Sequence, residues 1–264
     1  MARAMSRPEA EQGGLLYVLP AFLGRSAAIE APWIAAAQFA SALGSRLGGV
    51  DLLTPRGLLS PAQVEELGVL KTTQPSAARA TVGALPPALR TSITEARRWY
   101  RARTMRTLAG RLVRRRYRLV MQLHSRHHDT GLGVARRSGV PFVLRLEGLE
   151  LREEVAWGMK RPRWGGAAER WGERRVILRS DLVATVSDVL DAQLAELGLA
   201  EERRVVVPNG VDLDRFSPGE RDDELIRANG LGGRFVVGWV GGFRPFHGLD
   251  AIPAIAERLR EFAA

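Results

Sequence analysis

The sequence predicts an α/β fold, a doubly wound parallel sheet covered by helices, and three observations predict it. Short apolar runs recur along the chain, and several are near-continuous rather than alternating, as strands buried on both faces are. Helix-length segments separate these runs, which is the rhythm of βαβ units. The composition, 45% hydrophobic and 26% charged over 264 residues with no cysteine, is that of a globular chain. It excludes disordered, collagen-like and disulfide-stapled classes, and with them zinc ribbons, iron–sulfur clusters and thiol catalysis.

Leu15–Pro20 is the first strand; the acids Glu9 and Glu11 before it and Pro20 within it argue against a signal peptide. Ile34–Leu47 has helical patterning, and Val50–Thr54 is the next apolar run. Lys71–Thr91, rich in Pro, Thr, Ser and Ala, reads as a loop plus a short third strand. Arg118–His124 and Pro141–Glu147 are strands on either side of a helix at Thr130–Ser138. Trp164–Arg179 is a helix leading into the strand Asp181–Ser187, after which Ser187 caps a helix, Asp188–Leu197, that Gly198 stops. Val205–Pro208 closes the series.

Residues 209–234, charged and punctuated by Pro, Asn and Gly, form a linker between a first domain at 1–208 and a segment at 235–264. That last segment offers one strand, Phe235–Gly241, and one helix, about Leu249–Ala263. A single βα unit cannot build a core, because its strand needs sheet neighbours and its helix needs a face to cover. The expectation is therefore a Rossmann-like domain followed by an incomplete second one. No apolar window approaches the roughly 20 residues that span a bilayer, so a cytoplasmic protein, at most peripheral to a membrane, is expected.

The net charge of +10 carries little functional weight. Of 39 basic residues only Lys71 and Lys160 are lysine, a skew that reads as GC-rich codon usage rather than as an anionic partner. One run stands apart: Arg97–Arg118 holds ten arginines and no acid. On a helical wheel they surround the axis and leave only a poor stripe through Ala96, Tyr100, Leu108 and Leu112. A solvated surface helix is the first reading and a patch for anionic membrane lipid or a phosphorylated ligand the second; nucleic acid is not an expected partner.

Val205-Val206-Val207-Pro208-Asn209-Gly210-Val211-Asp212, with Phe216 and Pro218 beyond, resembles a signature of retaining glycosyltransferases of family 4. It follows a strand ending in serine, Ala184-Thr185-Val186-Ser187, and a short helix, as in that family. Val236-Val237-Gly238-Trp239-Val240-Gly241-Gly242, leading to His247-Gly248-Leu249, is similar to the opening of the family's nucleotide-sugar domain. The resemblance covers roughly 118–262 and implies a GT-B fold, two Rossmann-like domains facing across a cleft. It further implies transfer of a sugar, with retention, from a nucleotide-sugar donor to a glycan or lipid acceptor. No metal or other cofactor is implied.

Residue by residue, the resemblance places the donor diphosphate near Gly242, Arg244, His247 and Gly248, with Arg244 two positions from where the family carries its arginine and His247 in place of a lysine. Gly24 and Arg25, in the loop after the first strand, stand where the family keeps a glycine pair and would receive an anionic group. Glu147 occupies the position of a family histidine near the reacting sugar, followed by Gly148. A carboxylate there can orient hydroxyls or accept a proton, and His124 faces the same cleft from the neighbouring strand. His127 and His128 lie close by, but no spaced carboxylate completes a metal set. As chemistry rather than as a marker, Pro208–Asp212 reads as a tight turn in which Asn209 or Gly210 takes positive φ. The family's paired glutamates eight residues apart are absent, so the resemblance implies a donor pocket missing from this apparently truncated chain and little or no activity for it alone. The alternative is a non-catalytic Rossmann-like module that binds an acceptor glycan or an anionic lipid.

Overall fold

A computed structural model describes residues 13–20, 31–64, 86–156, 166–214, 216–234, 236–239 and 248–262. The chain divides into two compact units, Met1–Gly210 and Val211–Ala264.

The first unit is a seven-stranded sheet: β1 (Leu15–Val18), β2 (Val50–Thr54), β3 (Gly57–Leu59), β4 (Leu119–Leu123), β5 (Phe142–Leu146), β6 (Leu182–Thr185) and β7 (Arg204–Val206). They lie in the order β3-β2-β1-β4-β5-β6-β7, and every pair is parallel except β2 with β3. That order reverses direction between β1 and β4, the switch point of a Rossmann-like sheet, beyond whose carboxyl strand ends ligands sit. The helices are α1 (Ala31–Leu47), α2 (Pro87–Leu112), α3 (Thr130–Ser138), α4 (Glu150–Ala156), α5 (Ala167–Arg179) and α6 (Asp188–Glu196).

Alternation along β1 shows why the strands read as unbroken apolar runs. Leu15, Tyr17 and Leu19 enter one core with Leu52, Met121 and the α1 alanines Ala36, Ala37 and Ala40. Leu16 and Val18 enter the opposite core with Val120, Leu144, Leu146, Ile177 and Val183. Burying a side chain of this size is worth about 1.5–3 kcal/mol, so both faces of the sheet are driven into cover. The alanines of α1 keep that helix near the sheet. At its end a Cβ on Gly44 would stand 2.7 Å from Val50 Cβ.

The six strands expected before the boundary, and the helices α1, α3, α5 and α6, lie where the patterning put them. Ser187 Oγ accepts from Leu190 N at 3.4 Å to cap α6, and Gly198 leaves that helix at φ +85. Three expectations need correction. The third strand in chain order is Gly57–Leu59, a hairpin partner of β2 closed by Thr54 and Gly57, where none was expected; of the stretch expected to hold a strand, residues 71–85 lie outside the described residues, and 87–91 belong to α2.

The second correction concerns α2. Its buried stripe is Thr91, Ala102, Met105 and Ala109, while Ala96, Tyr100 and Leu112 are exposed and Leu108 only partly covered. The positions between Thr91 and Ala102 on this stripe are Glu95 and Arg98, which face other buried charges, so an apolar ranking of the wheel picks the wrong side. The third is the strand at Phe235–Gly241: residues 236–239 carry no strand, and the rest of that run lies outside the described residues. Val236, Val237 and Trp239 are exposed, which is what an apolar run does when no sheet neighbour pairs with it.

The second unit contains α7 (Asp223–Ala228), a 3-10 turn at Leu249–Ala251 and α8 (Ile252–Phe262). Asp222 caps α7 through Leu225 N at 2.9 Å. On α8 the apolar stripe Ile252, Ile255 and Leu259 is exposed. Among the described residues no helix is long and apolar enough to cross a membrane.

Candidate functional site

The carboxyl ends of β4 and β5, beside the switch point, gather the polar groups. His124 follows β4; its backbone N–H donates to Arg145 O at 2.7 Å and extends the β4–β5 ladder. Its side chain is 2% exposed, yet neither ring nitrogen hydrogen-bonds to a described residue; Glu173 Oε1 stands 3.9 Å from Nε2. Glu147 ends β5 in a half-buried position. Burial raises its pKa and the Arg145 guanidinium pulls it back down, while no described residue hydrogen-bonds its carboxylate. A carboxyl held toward its neutral form without a fixed partner suits proton exchange with a sugar hydroxyl. Gly148 beside it matters for space, because a Cβ there would lie against the Glu153 carboxylate.

Sequence reading missed two side chains that shape this edge. Arg145 sits inside β5 and is buried. Its Nη1 donates to Val207 O at 2.8 Å and its Nη2 to Asn209 Oδ1 at 2.7 Å, while its guanidinium lies 4.9 Å from the centre of the Phe39 ring. The segment 208–210 is therefore tied to β5 by side chains. Neither Asn209 nor Gly210 takes positive φ, which corrects the turn expected there: Asn209 is used for its side-chain oxygen, not its backbone freedom. An arginine inside an otherwise apolar run was the signal available. Replacing Arg145 with Met, or Asn209 with Ala, is expected to speed amide hydrogen exchange at Val207, whose N–H donates to Thr185 O, by about tenfold or more, with β1 and β4 protected as before.

The second is Arg126, in the loop after β4, with no exposed surface. It donates to Glu95 through Nε (3.2 Å) and Nη2 (2.6 Å) and to both Glu154 oxygens, and its backbone N–H reaches Glu150 at 3.0 Å. Arg98 closes the cluster, 2.9 Å from Glu150 and 2.7 Å from Glu154. His127, at φ +70, meets Glu95 at 2.9 Å. The cluster joins α2, the β4 loop and α4 below the candidate site, and it fixes the backbone that presents His124.

The same cluster makes the fold acid-sensitive. Burial pushes the His128 pKa down to about 4 from 6.5, helped by the charges of His127, His124 and Arg101 against that of Glu150. Burial pushes Glu95 upward, but the hydrogen bonds from His127 and Arg126 and the nearby Arg126 and Arg98 charges prevail and hold it at about 2, below 4.5. Both groups bind protons less readily folded than unfolded, so stability falls as pH drops, from 6.5 toward 4 for His128 and from 4.5 toward 2 for Glu95. Glu147 and Glu153, both raised by burial, work in the opposite sense. Melting followed against pH is expected to decline from pH 6.5, and His128→Gln is expected to remove the upper part of that decline.

Of the remaining predicted site residues, Gly24, Arg25, Gly242, Arg244 and His247 lie outside the described residues. Gly248 opens the 3-10 turn before α8 at φ +65, and its carbonyl accepts from Ala251 N at 3.0 Å. His124 and Glu147 are brought to neighbouring strand ends. Among the described residues no three His, Asp or Glu side chains converge as a metal set.

A doubly wound sheet with polar groups at the carboxyl ends of β4, which borders the switch point, and of its neighbour β5 defines a Rossmann-like ligand-handling domain. The chain belongs to Glycosyltransferase Family 4, whose profile matches residues 35–215. It is 33% identical over 147 residues to D-inositol 3-phosphate glycosyltransferase 1 of Catenulispora acidiphila, covering 54% of this chain and 34% of that protein. The D-inositol 3-phosphate glycosyltransferase of Geodermatophilus obscurus is 35% identical over 89 residues, 33% of this chain and 20% of that protein. The chain thus aligns with about a third or less of the length of these relatives. In fold it is similar to the crystal structure of Anabaena Alr3699/HepE in complex with UDP, with a TM-score of 0.52 at 17% identity, covering 92% of this chain and 57% of that one.

Proposed function

We propose that this chain forms the acceptor-side half of a GT-B glycosyltransferase that moves a sugar, with retention, from a nucleotide-sugar to a glycan or lipid acceptor. The observation that carries the proposal is the pair His124 and Glu147, both without a hydrogen-bonding partner among the described residues, at adjacent strand ends within a domain matched to a glycosyltransferase family. The UDP in the Alr3699/HepE structure supports a nucleotide-sugar as donor, and the names of the relatives support a polar, phosphate-bearing acceptor as one candidate. Glu147 exchanges a proton or orients hydroxyls, and His124 binds the acceptor or the reacting sugar beside it. Gly24 and Arg25 receive an anionic group, and Gly242, Arg244, His247 and Gly248 face the donor diphosphate. No metal is assigned, because arginines and helix amino ends supply the charge that a departing nucleotide needs.

The exposed stripe of α8 supports a donor side completed by further sequence or by a partner. A nucleotide-sugar consumption assay on the 264-residue chain is expected to show no turnover. Appreciable retaining transfer by the pure chain contradicts the half-site reading. With the donor side supplied, Glu147→Gln and His124→Gln are each expected to lower turnover by about 10²–10⁴-fold; full activity in both variants removes them from the site.

Peripheral contact of a cytoplasmic protein with anionic membrane through Arg97–Arg118 is a second reading, favoured by two aromatic side chains among those arginines, Trp99 at 54% and Tyr100 at 68% exposure. Sedimentation with acidic liposomes that is lost at high salt supports it, and salt-independent or absent binding removes it.

A further inference from the structure

A cavity of about 740 Å³ lies away from His124 and Glu147, along the outer flank of α3 and α5, and six arginines line it: Arg106, Arg136, Arg137, Arg175, Arg179 and Arg203. Only two acids, Asp129 and Asp181, share the lining. Arginine is abundant throughout this chain, but abundance does not place six in one concavity, nor does it orient them.

Three of the six are held in place by one edge of the guanidinium. Arg136 Nη2 donates to Arg179 O at 3.0 Å and to Asp181 Oδ1 at 2.9 Å. Arg203 Nη2 donates to Leu178 O and Ser180 O, carbonyls at the carboxyl end of α5. Arg175 Nη2 pairs with Asp129 Oδ2 at 2.9 Å while its guanidinium stacks 4.9 Å from the Trp171 ring. In all three the Nη1 edge makes no bond to a described residue. A guanidinium carries five donors in a rigid fork, so fixing one edge lowers the entropy lost when the other binds. Arg137 and Arg179 have no partner among the described residues, and Arg106 reaches Asp129 only at 3.6 Å. The Thr130 hydroxyl, on the same lining, is buried without a hydrogen-bond partner among the described residues.

We propose that this groove is a binding site for a phosphorylated ligand of two or more negative charges, separate from the sugar-transfer cleft. Charge-assisted N–H donors on pre-set guanidinium groups, with the guanidinium forks of Arg137 and Arg179 beside them, are a geometry that recognises phosphate oxygens, and the volume suits a ligand of small-metabolite or lipid-headgroup size. The site does not depend on the assignment of the transferase reaction.

Calorimetric titration of the 264-residue chain with inorganic pyrophosphate tests it. Saturable binding is expected, weakened about tenfold or more in the double variant Arg137→Ala, Arg179→Ala, whose melting stays that of the parent because neither side chain holds the fold. Arg221→Ala with Arg227→Ala, two exposed arginines of the second unit, is expected to bind as the parent does. A second arm uses vesicles of equimolar phosphatidic acid and phosphatidylcholine. Vesicle binding displaced by pyrophosphate and lost in the Arg137, Arg179 variant supports the site with a lipid headgroup as its source. Pyrophosphate binding without vesicle binding supports it with a soluble ligand. Absence of saturable pyrophosphate binding, or equal binding by the Arg137, Arg179 variant, overturns the proposal.

Discussion

Replacing Arg126 with Met is expected to lower stability by up to about 3–5 kcal/mol, because it removes the buried cation between Glu95 and Glu154 and leaves His127 beside the first and Arg98 beside the second. Glu95 and Glu154 both depend on the Arg126 guanidinium, which has no exposed surface. Arg98 remains beside Glu154 at 2.7 Å but already faces Glu150 at 2.9 Å, so one arginine is left among three glutamates. For a domain of this size the loss corresponds to a melting temperature lower by on the order of 10 °C. Neutralising the partners as well, with Glu95→Gln and Glu154→Gln, is expected to recover part of the loss, since the penalty comes from uncompensated charge more than from a missing attraction. A single Arg126→Met variant that melts with the parent would show that the cluster is solvated and does not brace the β4 loop.

Gly172→Ala on α5 sets two effects against each other. In an exposed helix alanine is better than glycine by about 1 kcal/mol, so propensity alone predicts stabilisation. Here a Cβ would stand 2.1 Å from His127 Nδ1 and 2.4 Å from its Cε1. The ring cannot swing aside cheaply, because Nε2 is bound to Glu95 at 2.9 Å and the backbone of His127 is already at φ +70. Overpacking of this kind costs about 1–3 kcal/mol, so a net loss is expected, read from denaturant midpoints. In a His127→Ala background the same substitution is expected to cost less, and the difference is the coupling between the two positions. Equal costs in both backgrounds would mean that the ring moves freely.

Particular residues show how far the sequence could be read. Near-continuous runs such as Leu15–Leu19 betray burial on both faces, and Ser187 and Gly198 mark the ends of α6 through local backbone chemistry. His124 and Glu147 were legible as site candidates because a residue just past a buried parallel strand stands at the ligand edge of the sheet. Arg126 was not: between His124 and His127 it looks like any other arginine of this chain, and its value comes from Glu95, 31 residues earlier, and Glu154, 28 residues later. The stripe of α2 stayed hidden for the same reason, since Glu95 and Arg98 interrupt it and only their distant partners make those positions part of the interior.

The order of residues alone determined where six of the seven strands and the helices α1, α3, α5 and α6 form, which strands are covered on both faces, and the family, because these follow from periodicity, caps and contiguous motifs within a few turns of chain. Tertiary structure alone decided which charges became internal bonds and which remained free. Arg145 holds Asn209, Arg126 holds Glu95, and the ring nitrogens of His124 hydrogen-bond to no described residue. The energy of a charge is set by the neighbours that replace its water, and those neighbours are brought together only when the sheet closes.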